Sequence, residues 1–300
     1  MIIETSGGVG NQLFQYAFAH FLVDNHFSTK VSVRPGFHTN DREFVLDGIF
    51  AHCEHVSISQ KQGNSKLSRQ GIVRGLLRRV PRFRYILLCL FNVGINYSPF
   101  GVVAFRQVER ELRRRHVLPL LVSGGYFQSW FYFFNQSDCM LQRLTAKLKS
   151  VEQIGEEPEL IVHIRRGDYL TGADVWGPID LSCFQAVIDD VRRSQKVNHV
   201  SVFSDGYDAA LEMASKFENA TAHDPSTVGP LSLLSSARKG QILIASNSSL
   251  SIWASLLMLK NRINPLVLIP DQWQRNLGTE SLGIVHPNSN VFPVVWENSP

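Results

Sequence analysis

Cysteine is scarce in this chain, and its placement excludes more than its number. Cys53, Cys89, Cys139 and Cys183 are the only four in 300 residues. They stand far apart, with neither metal-ligand nor redox spacing, and read as free thiols in a reducing compartment. Long apolar runs are missing as well. The longest, Tyr85 to Val93, is far shorter than the ~20 residues that span a bilayer. Met1 leads straight into Ile2-Ile3 with no basic n-region or long h-region, so no signal peptide is expected. Charge of one sign is not concentrated: the formal net charge is +4, too mild to suggest a nucleic-acid partner. There is no DxD, no HExxH and no Cys/His cluster, so neither a metal nor any other cofactor is expected. No G-x-S-x-G elbow supports a serine hydrolase. The sequons at Asn135, Asn219 and Asn247 are about what chance gives, and do not argue for secretion.

What is present is an ordinary globular composition, 44% apolar and 19% charged, enough for a sizeable core in one large or two medium domains. One stretch organises it: Leu160-Ile161-Val162-His163-Ile164-Arg165-Arg166-Gly167-Asp168-Tyr169. The apolar start reads as a buried strand, and Gly167 ends that strand. Two arginines, a histidine and a carboxylate then fall where ligands bind in open α/β sheets, beyond the carboxyl ends of the strands. Alternation puts His163 and Arg165 on one face and Arg166 on the other. Arg165 is thus placed to present its planar fork to a phosphate, while Arg166 pairs with a carboxylate such as Asp168. The alternative is a structural Arg–Asp pair; two adjacent arginines at a buried strand end are costly unless something anionic meets them.

The chain opens with a similar device. Ser6-Gly7-Gly8-Val9-Gly10-Asn11-Gln12 follows a short strand and runs into an amphipathic helix, a βα turn suited to close backbone approach by a ligand. Its spacing is not that of a dinucleotide fingerprint. Asn11 and Gln12 either donate to an anion or sugar or cap the helix.

Lys66 to Phe91 interleaves Arg74, Arg78, Arg79, Arg82 and Arg84 with leucines and isoleucines, broken at Pro81. This basic amphipathic segment suits either an anionic membrane surface, through 66–85, or a solvated helix face. A second basic helix is expected over Arg106 to His116. The aromatic stretch around Tyr126, Gln128 and Trp130 suits either a core or stacking on a sugar ring. A helix follows from about Ser137 to Ser150. The acidic, Pro-containing stretch Glu152 to Glu159 marks a domain boundary, giving domains 1–152 and 153–300, with the C-terminal tail free to pack back on the first.

Beyond residue 160 the chain alternates helix and strand. Strands at Val200 to Phe203, Ile242 to Ala245 and Leu266 to Ile269 each end in small polar or charged residues. That pattern predicts a doubly wound parallel sheet with its chemistry at the carboxyl edge. Asn247, Ser248 and Ser249 form either an anion site at a helix N-terminus or a simple N-cap. Ser204 and Asp205 close a neighbouring strand, where Asp205 can accept from a base or ribose.

These motifs resemble a known family. His163-x-Arg165-Arg166-x-Asp168-Tyr169 is similar to the HxRRxDY signature of the α-1,2-fucosyltransferases, glycosyltransferase family 11. Gly7-Gly8-Val9-Gly10-Asn11-Gln12-Leu13-Phe14-Gln15-Tyr16-Ala17 resembles that family's opening. Glu43 to Asp47, Gly125 to Ser129, Phe203-Ser204-Asp205, Asn247-Ser248-Ser249-x-Ser251-x-Trp253 and Ile269-Pro270-x-x-Trp273 follow in the family's order. Gly206 stands where a second acidic residue is common, and Ile252-Trp253 where a Trp pair is common.

The resemblance implies a GT-B-like α/β fold, two Rossmann-like domains facing a cleft, the C-terminal one a doubly wound parallel sheet. It implies inverting, metal-independent transfer of L-fucose from GDP-β-L-fucose to the 2-hydroxyl of a terminal β-galactose on a glycan, possibly lipid-linked. Under it, Arg165, Asp168 and Asn11 are the candidate catalytic residues. Gly8, Gly10, His163, Arg165, Arg166, Ser204, Asp205, Asn247, Ser248 and Ser249 hold the donor, with His163 and Asp205 at the nucleoside. Tyr126, Gln128 and Trp130 meet the acceptor. The expected location is cytoplasmic, peripheral at the inner membrane in a bacterium, or the Golgi lumen for a trimmed animal enzyme. The rivals are a family member with another donor or linkage, and a non-catalytic sugar- or nucleotide-binding protein.

Overall fold

The computed structural model describes residues 1–35, 43–50, 55–60, 95–96, 121–123, 126–134, 138–151, 159–172, 176–275, 277–278 and 284–297. The chain divides into two compact units, Met1–Lys147 and Leu148–Pro300. Each is built on its own parallel sheet, as the resemblance to a GT-B-like α/β family implied.

In the first unit, β1 (Ile2–Thr5) is flanked by β2 (Val31–Pro35) and then β3 (Val56–Ile58) on one side. On the other lie β5 (Leu121–Ser123) and β4 (Ile95–Asn96), giving the order β3-β2-β1-β5-β4. All four pairings are parallel. α1 (Val9–Asp24) follows β1 and is buried almost throughout, from Gly10 to Leu22 apart from Asn11. That explains its unusual freedom from charge: a helix apolar on nearly every side belongs inside. Its buried amides are satisfied. Gln12 donates to the carbonyls of Gly7 and Glu43 and accepts from the Val45 amide, which fixes α2 (Leu46–Ile49) against the helix start. The short α3 (Trp130–Phe134) packs on α1, with Tyr132 edge-on to Phe18 and Phe21. α4 (Asp138–Ser150) carries the chain across the division.

The second unit holds a six-stranded sheet. Its strands are β6 (Leu160–Ile164), β7 (Val200–Ser204), β8 (Ala220–His223), β9 (Ile242–Ile244), β10 (Leu266–Pro270) and, after the small antiparallel pair β11 (Gln272–Gln274) and β12 (Leu277–Gly278), β13 (Asn290–Phe292). The order is β13-β10-β9-β6-β7-β8, parallel throughout. This is the doubly wound order. The chain walks outward from β6 to β8, then crosses back to place β9 on the other side of β6.

The residues explain the layers. Leu160, Val162 and Ile164 alternate onto one face and pack with Val200, Val202, Ile242 and Ile244. α6 (Leu181–Ser194) covers that face with Phe184, Ile188 and Val191, at helical spacing, and α7 (Tyr207–Ala214) adds Ala210 and Met213. α6 starts at Asp180, whose carboxylate accepts from the Ser182 amide, and ends on Arg192 and Arg193 at the negative end of its dipole. α8 (Pro230–Lys239) and α9 (Ser249–Asn261) pack together. Trp253 on α9 is fully buried.

The described part of the tail belongs to the second unit. β13 pairs with β10, Trp296 bridges Ile179, and Glu297 bonds Arg166, so residues 290–297 complete the second unit itself.

Candidate active site

In the second unit the strand order reverses between β6 and β9, and the carboxyl ends of both strands carry polar residues. Arg165 and Arg166 leave β6 in opposite directions. Arg165 donates through Nη2 to Asp168 Oδ1 at 2.5 Å and through Nη1 to Asp205 Oδ2 at 2.8 Å. Its guanidinium lies over the Tyr169 ring, 5.3 Å from the centroid. The other Asp205 oxygen accepts from the Arg166 amide at 2.7 Å. Gly167 makes this possible: a Cβ there would come within 2.2 Å of Asp205 Oδ2. Gly167 also opens α5 (Gly167–Thr171), which puts Asp168 one turn from Arg165.

Three expectations are corrected at this point. Arg166 does not meet Asp168; it forms a two-pronged pair with Glu297, at 2.5 and 3.1 Å. The alternation that turns Arg165 toward Asp168 turns Arg166 toward the strand-like tail. With both terminal nitrogens so used, Arg166 braces the strand-like tail. Asp205, expected at a base or ribose, uses both oxygens to hold the two arginines.

Asn247 is the third correction. It is fully buried, and its Nδ2 donates to the carbonyls of Trp176, Gly177 and Trp273 at 3.1 to 3.5 Å. The two N–H donors of Nδ2 are shared among these three carbonyls, so this side chain staples loops together. The same burial removes it as a glycan acceptor.

His163 lies on the opposite face of β6 from the apolar core. It is buried, with Nδ1 2.5 Å from Ser251 Oγ on α9. Burial, reinforced by the Arg165 charge, pushes its pKa down to about 3. The ring is therefore neutral. Ser251 Oγ also accepts from the Ser246 amide at 3.0 Å and lies 3.2 Å from Ser246 Oγ, so the ring is tied to α9 through a hydroxyl network.

Ser248 caps α9, accepting from the Leu250 amide at 3.3 Å. The first turn of this thirteen-residue helix, including Ser249, is a positive dipole end that suits an anion. Ser204 has a local task, accepting from the Gly206 amide at the start of α7.

The first unit has its own reversal, between β1 and β5. Gly7 adopts φ +78°, and a Cβ there would come within 2.5 Å of Asn11 Nδ2. Gly8 caps α1 in extended geometry and faces open space, while Gly10 is buried. From the β5 side, Gln128 donates from Nε2 to Asn11 Oδ1 at 2.7 Å. Phe127 just before it has φ +50°, a left-handed conformation that bulky residues rarely adopt. Stacking on Phe18, with centroids 3.9 Å apart, holds it there. Tyr126 and Trp130 flank this loop, both half-buried.

The structure thus groups Arg165, Asp168, Asp205 and the α9 start in the second unit, and Gly7, Gly8, Asn11 and Gln128 in the first. It adds Tyr169, Glu297 and Ser251, which sequence reasoning did not place in a site. Among the described residues no cluster of three or more His, Cys, Asp or Glu is arranged for a metal, and no helix is long and apolar enough to cross a membrane. The basic segments 66–85 and 106–116 lie outside the described residues.

A doubly wound sheet whose switch point is lined by arginine and a helix N-terminus defines an α/β protein of nucleotide-binding architecture. The family is more specific. The profile of glycosyl transferase family 11 matches residues 119–276, more than half the chain, and the chain belongs to that family; it is a glycosyltransferase. An α-1,2-colitosyltransferase of Escherichia coli is 25% identical over 300 residues, spanning 91% of this chain and 92% of its own. Among solved structures, a family 9 glycosyl transferase from Veillonella parvula has 11% identity and a TM-score of 0.47, over 97% of this chain and 85% of its own. Fucosyltransferase NodZ from Bradyrhizobium has 13% identity and a TM-score of 0.46, over 85% and 92%.

Proposed function

We propose that the protein transfers L-fucose from GDP-β-L-fucose to the 2-hydroxyl of a terminal β-galactose on a glycan, with inversion. The observation that carries this is Arg165 at the β6 end, tied through Tyr169 to the loop that starts α9, in a chain of family 11. In the reaction the acceptor oxygen attacks the anomeric carbon from the face opposite the diphosphate. The bond from that carbon to the diphosphate oxygen breaks, GDP leaves with the electron pair, and the acceptor proton passes to a base.

Arg165 and the first turn of α9 stabilise charge as it develops on the leaving diphosphate. His163 belongs to the nucleoside side. Asp168 is the carboxylate that stays most open, 51% exposed against 28% for Asp205 and 36% for Glu297. Paired to Arg165, it orients that guanidinium, and the acceptor proton goes to a base on the opposite face. Asn11, Gln128, Tyr126 and Trp130 belong to the acceptor side.

A second reading has a specific support: the Escherichia coli relative is a colitosyltransferase, so a colitosyl donor is the alternative within the same linkage class. Incubation with lactose and GDP-fucose, or the GDP-colitosyl donor, followed by linkage analysis, decides between them. An α-1,2-fucosyl product supports the first reading; exclusive use of the colitosyl donor replaces it. Transfer is expected to persist in excess chelator. Abolition by chelator with rescue by Mn²⁺ would sink the metal-free scheme.

A further inference from the structure

Tyr169 stands between the two halves of the second unit's switch point. Its hydroxyl donates to the Asn247 carbonyl, 2.8 Å away, in the loop that leads from β9 into α9. Its ring carries the Arg165 guanidinium from the β6 side at 5.3 Å. The same ring stacks on Trp176, centroids 5.8 Å apart and planes 22° from parallel. Asn247 in turn donates to the Trp176 carbonyl, which closes a loop of contacts around the tyrosine. Asn247 is fully buried and held by three carbonyls, so the anchor point of the hydroxyl is rigid. Arg165, by contrast, comes from a strand end and is steadied on its other side by Asp168, half exposed on a helix of only five residues.

We infer that Tyr169 is a positioning residue that sets the distance between Arg165 and the first turn of α9, so that one diphosphate meets both. This rests on the donor reading above. The chemistry matches both ends. The face of a phenol ring attracts a guanidinium through its quadrupole and keeps it planar over the ring. The para hydroxyl points away from that face, along the ring plane, to a carbonyl acceptor. A phenylalanine keeps the first contact and loses the second; a leucine loses both. A nucleoside without phosphates does not sense the distance at all.

The test is affinity for GDP and for guanosine, measured by titration calorimetry and competition, on wild type, Tyr169→Phe and Tyr169→Leu, with thermal unfolding as a control. GDP affinity is expected to fall about tenfold in Tyr169→Phe, from the lost hydrogen bond. About tenfold more is lost in Tyr169→Leu with the cation–π contact. Guanosine affinity is expected to hold within about threefold in both. Equal losses for GDP and guanosine mean a merely structural tyrosine and overturn the inference. Unchanged GDP binding in both variants overturns it too and leaves the donor reading standing. Wild type that binds no GDP removes the donor reading and this inference together. If Tyr169→Leu does not fold, the GDP-to-guanosine ratio of Tyr169→Phe against wild type decides alone.

Discussion

The two units reverse their strand order at equivalent places, beside the first strand of each sheet, yet they line those places with opposite chemistry. Between β6 and β9 stand two arginines braced by three carboxylates. Between β1 and β5 stand two neutral amides, Asn11 and Gln128, against a glycine turn. Ion pairs at a strand end cost desolvation, which favours them where an anion arrives. Amides carry no such cost, and each offers both a donor and an acceptor, as a sugar hydroxyl does. Under the proposed function, the leaving diphosphate would belong with the charged reversal and the acceptor with the neutral one. The substitutions below act on one side of it at a time.

The largest effect is expected from Arg165→Ala. Removing a charge-assisted donor at the leaving group is expected to cost on the order of 3 kcal/mol, at least a hundredfold in transfer. GDP affinity falls with it, while KM for the galactoside holds. Arg165→Lys is not expected to rescue, because a point charge cannot bridge Asp168 and Asp205 as the fork does. Near-normal turnover in Arg165→Ala would move the donor site away from β6 and erase the contrast.

Acid probes what both units share. Each buries an imidazole: His20 on α1, pushed down to about 4 by burial and then by Arg143, and His163, pushed down to about 3. Unfolding frees each ring to bind a proton below its ordinary pKa near 6.5, whereas the folded ring stays neutral. The stabilisation is therefore complete above about pH 6.5 and is lost as pH falls toward the folded values. For His163 this amounts to about 2 kcal/mol at pH 5. Urea unfolding at pH 7.5 and pH 5.0 is expected to show the drop, smaller in His163→Gln. A variant with the same pH dependence as wild type would mean the imidazole is protonated in the fold.

The neutral site predicts a smaller effect. Asn11→Ala or Gln128→Ala is expected to raise the galactoside KM about tenfold, the worth of one or two hydrogen bonds. GDP affinity stays put. Raised salt should weaken GDP binding and leave the galactoside KM nearly unmoved, since screening acts on charges. Loss of GDP binding in Gln128→Ala would blur the division of labour.

The sequence showed these places unevenly. Leu160 to Ile164 stands out as an apolar run because β6 is buried on both faces, although the strand stops at Ile164, three residues before the glycine expected to end it. The turn after β1 was legible from its glycines, Gly7, Gly8 and Gly10. β8 and β13 escaped notice: they are edge strands, half open, and carry no apolar run. Partners across long gaps were also hidden. Glu297 lies 131 positions from Arg166, and Ser251 lies 88 from His163. Nothing local marks such pairs. Asp168 beside Arg166 in the chain suggested the wrong partner, because the short helix at Gly167 turns it to Arg165.

The smallest effect on turnover is expected from the basic segment 66–85, known here from its sequence alone. If the acceptor hangs from a lipid on an anionic leaflet, each Lys or Arg near that surface contributes roughly 1 kcal/mol at modest salt. Arg74, Arg78, Arg79, Arg82 and Arg84 then hold the enzyme near its substrate without an anchor, reversibly and less as salt rises. Changing all five to glutamine is expected to lower co-sedimentation with phosphatidylserine vesicles while transfer to a soluble disaccharide holds. Wild type that fails to sediment at low salt would reduce the segment to an ordinary solvated face. A collapse of soluble turnover would instead place these arginines in the fold or on the acceptor side. There they would add charge to the side of the comparison that the amides leave neutral.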